Sequence, residues 1–167
     1  MTCRPLARPF DGLLLAMTLA CCSPAMADDA ADCRAAAGSY LTGVVQAAPT
    51  YVRGSRLHGV ELSHTHILLR GDADARRYDI AADDVFANGY SKSRRTIPAP
   101  LDQIRTGTRL SVCGIPFHGG MHWVHTNCGD HPTAKDPDGW LKLIAADGSV
   151  GPNLEGSTTY CALWPRH

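Results

Sequence analysis

His58-Gly59-Val60-Glu61-Leu62-Ser63-His64-Thr65-His66-Ile67-Leu68-Leu69-Arg70 is the stretch whose reading decides the fold. Val60, Leu62, His64, His66 and Leu68 fall on one alternating face, and Glu61, Ser63, Thr65, Ile67 and Leu69 on the other, the period of two that a β-strand imposes. Gly71-Asp72-Ala73-Asp74 follows as a turn, and Arg76 to Ala81 reads as the returning strand of a hairpin. Upstream, the Ala-rich Asp29 to Leu41 segment, broken by Gly38, predicts a short helix, and Thr42 to Gln46 is a brief β-prone run. Downstream, Asp83 to Tyr90 predicts a helical turn, Ser91 to Pro100 a polar loop, and Thr106 to Gly114 a Gly turn leading into a strand. Met121 to Thr126 and Trp140 to Ile144 supply two further strands. Five short strands, few helices and many Gly turns point to an antiparallel barrel or sandwich of one domain.

The chain has 167 residues, with 16 Lys plus Arg against 16 Asp plus Glu. Zero formal charge argues against nucleic acid as a partner. Met1 to Ala27 has the order of a secretory signal: Arg4 and Arg8, then the apolar Leu13 to Ala20, then Ala25-Met26-Ala27 before Asp28. The apolar run is too short to span a bilayer, which takes about 20 such residues. A second reading, lipid attachment at Cys21 or Cys22, lacks the usual Leu, small, small, Cys order. Cleavage near Ala27 would leave 167 − 27 = 140 residues, a single exported domain over 28–167, periplasmic or secreted, with 14 basic against 15 acidic side chains once Arg4, Arg8 and Asp11 are removed.

Seven cysteines become four when Cys3, Cys21 and Cys22 leave. In an oxidising compartment four cysteines form two disulfides. Three pairings exist. The turn expected at Pro116 to Gly120 favours Cys113 with Cys128, leaving Cys33 with Cys161 to tie the C-terminal tail to the start of the domain. The loop-entropy relation assigns the long bridge about 4 kcal/mol and the short one about 3 kcal/mol. No Cys-x-x-Cys pair supports a cysteine-ligated zinc instead.

Histidine is the sharpest chemical signal. All eight lie beyond Ala27, and six fall between His64 and His131. His64 and His66 share a strand face, so one divalent metal such as zinc could be gripped by both. His122 is the candidate third ligand, with Asp79, Asp130 or His131 to complete the set. On a straight strand His125 faces the other way from His122, with Met121 and Trp123, as a half-core residue. The bland alternative is that these imidazoles are hydrogen-bonded inside a small polar core. Asp83 and Asp84 are adjacent, so their side chains diverge. Lys92, Arg94 and Arg95 form the basic cluster. Arg94, Arg95, His125 and His131 are the candidate ligand contacts. Trp123, Trp140 and Trp164 could line a ligand groove by stacking, but a small core is the preferred place for Trp123 and Trp140, and Trp164 is an anchor for the tail. Nucleophile-elbow, phosphate-loop and dinucleotide motifs are absent from the sequence.

Gly119-Gly120-Met121-His122-Trp123-Val124-His125, followed by Gly129-Asp130-His131 and Asp138-Gly139-Trp140-Leu141-Lys142, resembles an uncharacterised family of small bacterial exported domains. That family carries a Gly-Gly-x-x-His-Trp-x-His phrase or a close variant, then Gly-x-His and Gly-Trp. Its histidine-containing strand is similar to Ser63 to Leu69, and the likeness covers residues 42 to 145. The resemblance implies a small five-stranded antiparallel barrel of the oligonucleotide/oligosaccharide-binding type, and no activity. With the short N-terminal helix and the disulfide-anchored tail added, the expected protein is an exported binding module of unknown ligand. A metal-dependent hydrolase acting on phosphodiesters through the histidines is the rival enzyme reading. A third is a purely structural envelope protein, or an inhibitor of another secreted protein.

Overall fold

The computed structural model describes residues 24–129 and 131–164. In chain order they form helix α1 (Pro24–Ala35) and strands β1 (Ser39–Val45), β2 (Thr50–Val52), β3 (Arg56–Leu57), β4 (Val60–Glu61), β5 (His64–Gly71), β6 (Arg77–Asp83), β7 (Arg109–Phe117), β8 (Gly120–His122), β9 (Trp140–Ile144) and β10 (Val150–Asn153). Three short 3-10 turns sit at Asp84–Phe86, Leu101–Gln103 and Cys161–Leu163. The signal segment and Cys3, Cys21 and Cys22 lie outside the described residues, apart from Pro24 to Ala27, which begin α1.

Five strands close a ring in the order β1, β5, β6, β8, β7 and back to β1. The alternation of the deciding stretch holds on β5: Thr65, Ile67 and Leu69 are fully buried, while His64, His66 and Leu68 face outward. Ile80 and Ala82 from β6, Leu110 and Val112 from β7, Val45 from β1 and Met121 from β8 fill the interior with them. Leu101 and Ile104, from the 3-10 turn before β7, join the same cluster. At about 1.5–3 kcal/mol for each large aliphatic side chain removed from water, this cluster is the main source of stability.

The barrel is mixed, which corrects the antiparallel expectation. Four seams are antiparallel, but β6 and β8 run parallel, with Asp79 beside Gly120 and Ile80 beside Met121. The reason is topological: an odd number of strands cannot alternate direction around a closed ring. Gly119, at φ 86°, makes the tight turn that sends β8 back along β7, and the mismatch falls on the seam with β6.

β8 and β9 both pair with β7, at successive places along it. Ile115 lies opposite His122 and Cys113 opposite Trp140, so residues 123–139 loop out between them. The break is at Gly114, where any Cβ would collide with the His122 carbonyl. Trp123 turns the chain out of the strand at φ 55°. The expected strand Met121 to Thr126 therefore ends at His122.

That excursion also re-pairs the cysteines. The bridges are Cys33–Cys113 and Cys128–Cys161, with Cα–Cα separations of 5.7 and 5.2 Å, not Cys113–Cys128 and Cys33–Cys161. Cys113 points out of the barrel toward α1, and Cys128 has left the sheet before it could lie beside Cys113. α1 docks through the first bridge and through Asp29, which accepts from Lys142 Nζ at 2.9 Å and Ser111 Oγ at 2.8 Å. Trp140, buried as expected, packs with Cys33 and Cys113 there. The C-terminal tail is anchored by Cys128–Cys161.

Candidate functional site

The outer face of the β5–β6 hairpin carries the expected histidines. His64 and Asp83 are direct cross-strand partners, and His64 Nε2 donates to Asp83 Oδ1 at 2.9 Å. His66 Nδ1 donates to the Asp79 carboxylate at 2.9–3.0 Å. Each imidazole thus takes its own carboxylate, with the ring centroids 6.3 Å apart. His122, at the end of β8, packs edge-on against Phe117 and Trp123. Among the described residues no group of three or more His, Cys, Asp or Glu side chains is placed to hold a metal ion, and Asp130 lies outside them.

Beside this face lies a cleft of about 410 Å³, within the range of small-molecule sites. His64, Asp83 and His125 supply its polar groups, and Leu62, Phe86, Trp123 and Trp164 its apolar ones; Ser55, Cys128 and Asp136 complete it. Three distant segments meet here. The Asp84–Phe86 turn follows directly from β6, the 123–139 loop brings Trp123, His125 and Cys128, and Cys128–Cys161 holds the tail so that Trp164 reaches Phe86. Phe86 stacks flat on His125 with 3.7 Å between centroids, and Trp164 stacks on Phe86 at 5.4 Å.

The electrostatics are uneven. The hydrogen bond to Asp83 raises the His64 pKa above its usual value despite partial burial. Burial lowers that of His125, only 6% exposed, against the opposing pull of Asp83 and the Thr126 carbonyl. Burial lowers that of His122 too. Beneath the cleft, Asp84 is fully buried and accepts from Ser63 Oγ at 2.7 Å and Thr65 Oγ1 at 2.6 Å; burial still raises its pKa. Glu155 is also fully buried, and neither carboxyl oxygen has a hydrogen-bond partner among the described residues. Burial, then the charges of Asp83 and Asp84, push its proton affinity well up from the ordinary carboxylate value.

Of the residues singled out from sequence, His64 and His125 line the cleft and His66 and His122 do not. Arg95 reaches toward Glu61 at 4.0 Å, with Arg53 and Arg56 on the same carboxylate. Arg94 borders a separate groove with Tyr90 and Asp102, and His131 is exposed. Trp123, expected in the core, is a cleft wall. Phe86, Glu155 and Asp136 carried no signal in the sequence. Asp83 and Asp84 did, and their divergence is seen: one faces the histidines, the other turns inward to Ser63 and Thr65.

Compared with protein-family models, curated proteins and solved structures, the chain matches none.

Proposed function

We propose that the protein is an exported small-ligand-binding module whose ligand seats in the Leu62, Phe86, Trp123, Trp164 cleft over His64, Asp83 and His125. The observation that carries this reading is the cleft itself: aromatic walls, a few convergent polar groups, and a place on the outer face of the hairpin that forms the second and third barrel strands. In oligonucleotide/oligosaccharide-binding barrels that face, with the loop joining the first two strands, is where ligands bind. Ser55 and Leu62 come from that loop here. The ring order, with its one parallel seam between the third and fifth strands, supports the same barrel type. So does the likeness of residues 119–125 to the uncharacterised exported family. Charge balance favours a small ligand over a nucleic acid.

Export is supported by the two disulfides and by the leader-like order of residues 1–27. Cleavage near Ala27 would leave Asp29 and Cys33, which dock α1, in the mature chain. Among the described residues no helix is long and apolar enough to cross a membrane.

A fragment screen followed by tryptophan fluorescence tests the reading. A saturable ligand whose binding is lost in Trp123→Ala, with melting unchanged, is the expected result. Ligands that bind the variant equally well would place the site elsewhere.

The hydrolase reading has one observation in its favour: two imidazoles flank one carboxylate and their proton affinities are driven in opposite directions. Elemental analysis separates its metal-dependent form. Stoichiometric zinc, manganese or nickel lost on His64→Ala would support that form, and metal-free protein with unaltered folding would sink it.

A further inference from the structure

Two hydrogen-bond acceptors face each other in the cleft. Asp83 Oδ1 is engaged by His64, but Asp83 Oδ2 lies 3.6 Å from His125 Nε2. The other ring nitrogen, His125 Nδ1, is 2.8 Å from the Thr126 carbonyl oxygen, which can only accept. Nδ1 therefore carries the ring hydrogen, and in the neutral imidazole Nε2 presents a lone pair. Burial and the flat stack on Phe86 hold the ring in that orientation. Neither the carboxylate oxygen nor the lone pair can donate to the other, and both reach the same small volume.

The surroundings select the donor that would satisfy them. Asp136 adds a second carboxylate to the lining, and among the described residues neither Lys nor Arg lines the cleft. Fully buried Asp84 and Glu155 lie behind it, so further acidic groups rather than basic ones back the site. The remaining lining is largely aromatic, and a cation near aromatic faces gains a further attraction where water is excluded. An anion would meet two carboxylates and the His125 Nε2 lone pair.

We propose that the cleft binds an organic amine, its N–H groups donated to Asp83 Oδ2 and His125 Nε2 and its apolar body laid against Phe86, Trp123 and Trp164. The inference rests on the cleft being a binding site and adds the chemistry of what enters it. His64 is the positioning residue: its hydrogen bond to Oδ1 orients the carboxylate so that Oδ2 faces the cleft.

An NMR-monitored titration of the purified protein with three probes of one shape, benzylamine, benzyl alcohol and benzoate, tests it. Benzylamine is expected to bind at least tenfold more tightly than benzyl alcohol, with benzoate weakest, and to shift the His125 Nε2 resonance. Asp83→Asn should weaken benzylamine at least tenfold and leave benzyl alcohol within about threefold. Should Asp83→Asn fail to fold, the wild-type ranking and the Nε2 shift decide alone. Benzoate or benzyl alcohol binding as tightly as benzylamine, in the same cleft, would overturn the amine and leave the binding module standing. Absence of binding by all three would overturn the amine, and a fragment screen that also found no ligand would remove the module with it.

Discussion

The barrel interior and the cleft beside it are built on opposite principles. Inside the ring, the cluster from Val45 to Leu154 is apolar, and paired strands on every side satisfy its backbone. Around the cleft, the paired ends of β5 and β6 carry His64 and Asp83, while a 3-10 turn and loops carry Asp84, His125 and Glu155, held by one disulfide and a column of stacked rings. A buried acid such as Glu155, without a hydrogen-bond partner, costs stability. Buried groups with proton affinities displaced in this way gather at functional sites.

Removing the bridges would sharpen that contrast most. Loss of Cys33–Cys113, which closes 80 residues of chain, is expected to lower unfolding stability by about 4–5 kcal/mol in a Cys33→Ser, Cys113→Ser variant measured by urea denaturation. Loss of Cys128–Cys161, which closes 33, should cost about 3–4 kcal/mol and free Trp164, seen as loss of cleft binding and faster amide exchange of the tail. Persistence of cleft binding without that bridge would break the division into two regions. Next in size, Leu110→Ala should cost about 2–5 kcal/mol because it leaves a cavity in the ring, without altering which ligands the cleft prefers.

Glu155→Gln offers a smaller test with a definite sign. The folded carboxyl stays protonated well above the ordinary value of 4.5, while the unfolded chain releases its proton there. Its contribution is complete below about pH 4.5 and is lost as pH rises toward the folded pKa. Stability of the wild type should therefore fall relative to Glu155→Gln as pH rises above about 4.5, and parallel profiles would contradict the raised proton affinity of Glu155.

Much of the barrel was legible in the sequence, because period-two alternation in Ser63 to Leu69 and apolar runs at Leu110 to Cys113 and Trp140 to Ile144 are local signals. The parallel seam was missed, because the strands were expected to be antiparallel throughout, and an odd number of them closes into a ring only with one parallel pair. The disulfide pairing was not, since it depends on Trp123 leaving the strand at φ 55°, a conformation that alternation cannot anticipate. The same turn brought His125 and Trp123 to the cleft after the straight-strand rule had assigned both to a half-buried face. His64 was visible as half of a strand pair. Its partner Asp83 was visible only as one of two diverging carboxylates, because the 64-to-83 register is set by the hairpin as a whole. Phe86, Glu155 and Trp164 meet through contacts far apart in the chain, which no local pattern encodes.

The arrangement of Asp83 between two unlike imidazoles is the central claim, and histidine nitrogen NMR across a pH titration tests it most directly. The expected result is His64 titrating above 6.5, His125 below 6.5 and neutral at pH 7 with its hydrogen on Nδ1, and a downward shift of His64 in Asp83→Asn. A hydrogen on His125 Nε2 at pH 7, or a His64 titration indifferent to Asp83→Asn, would contradict it.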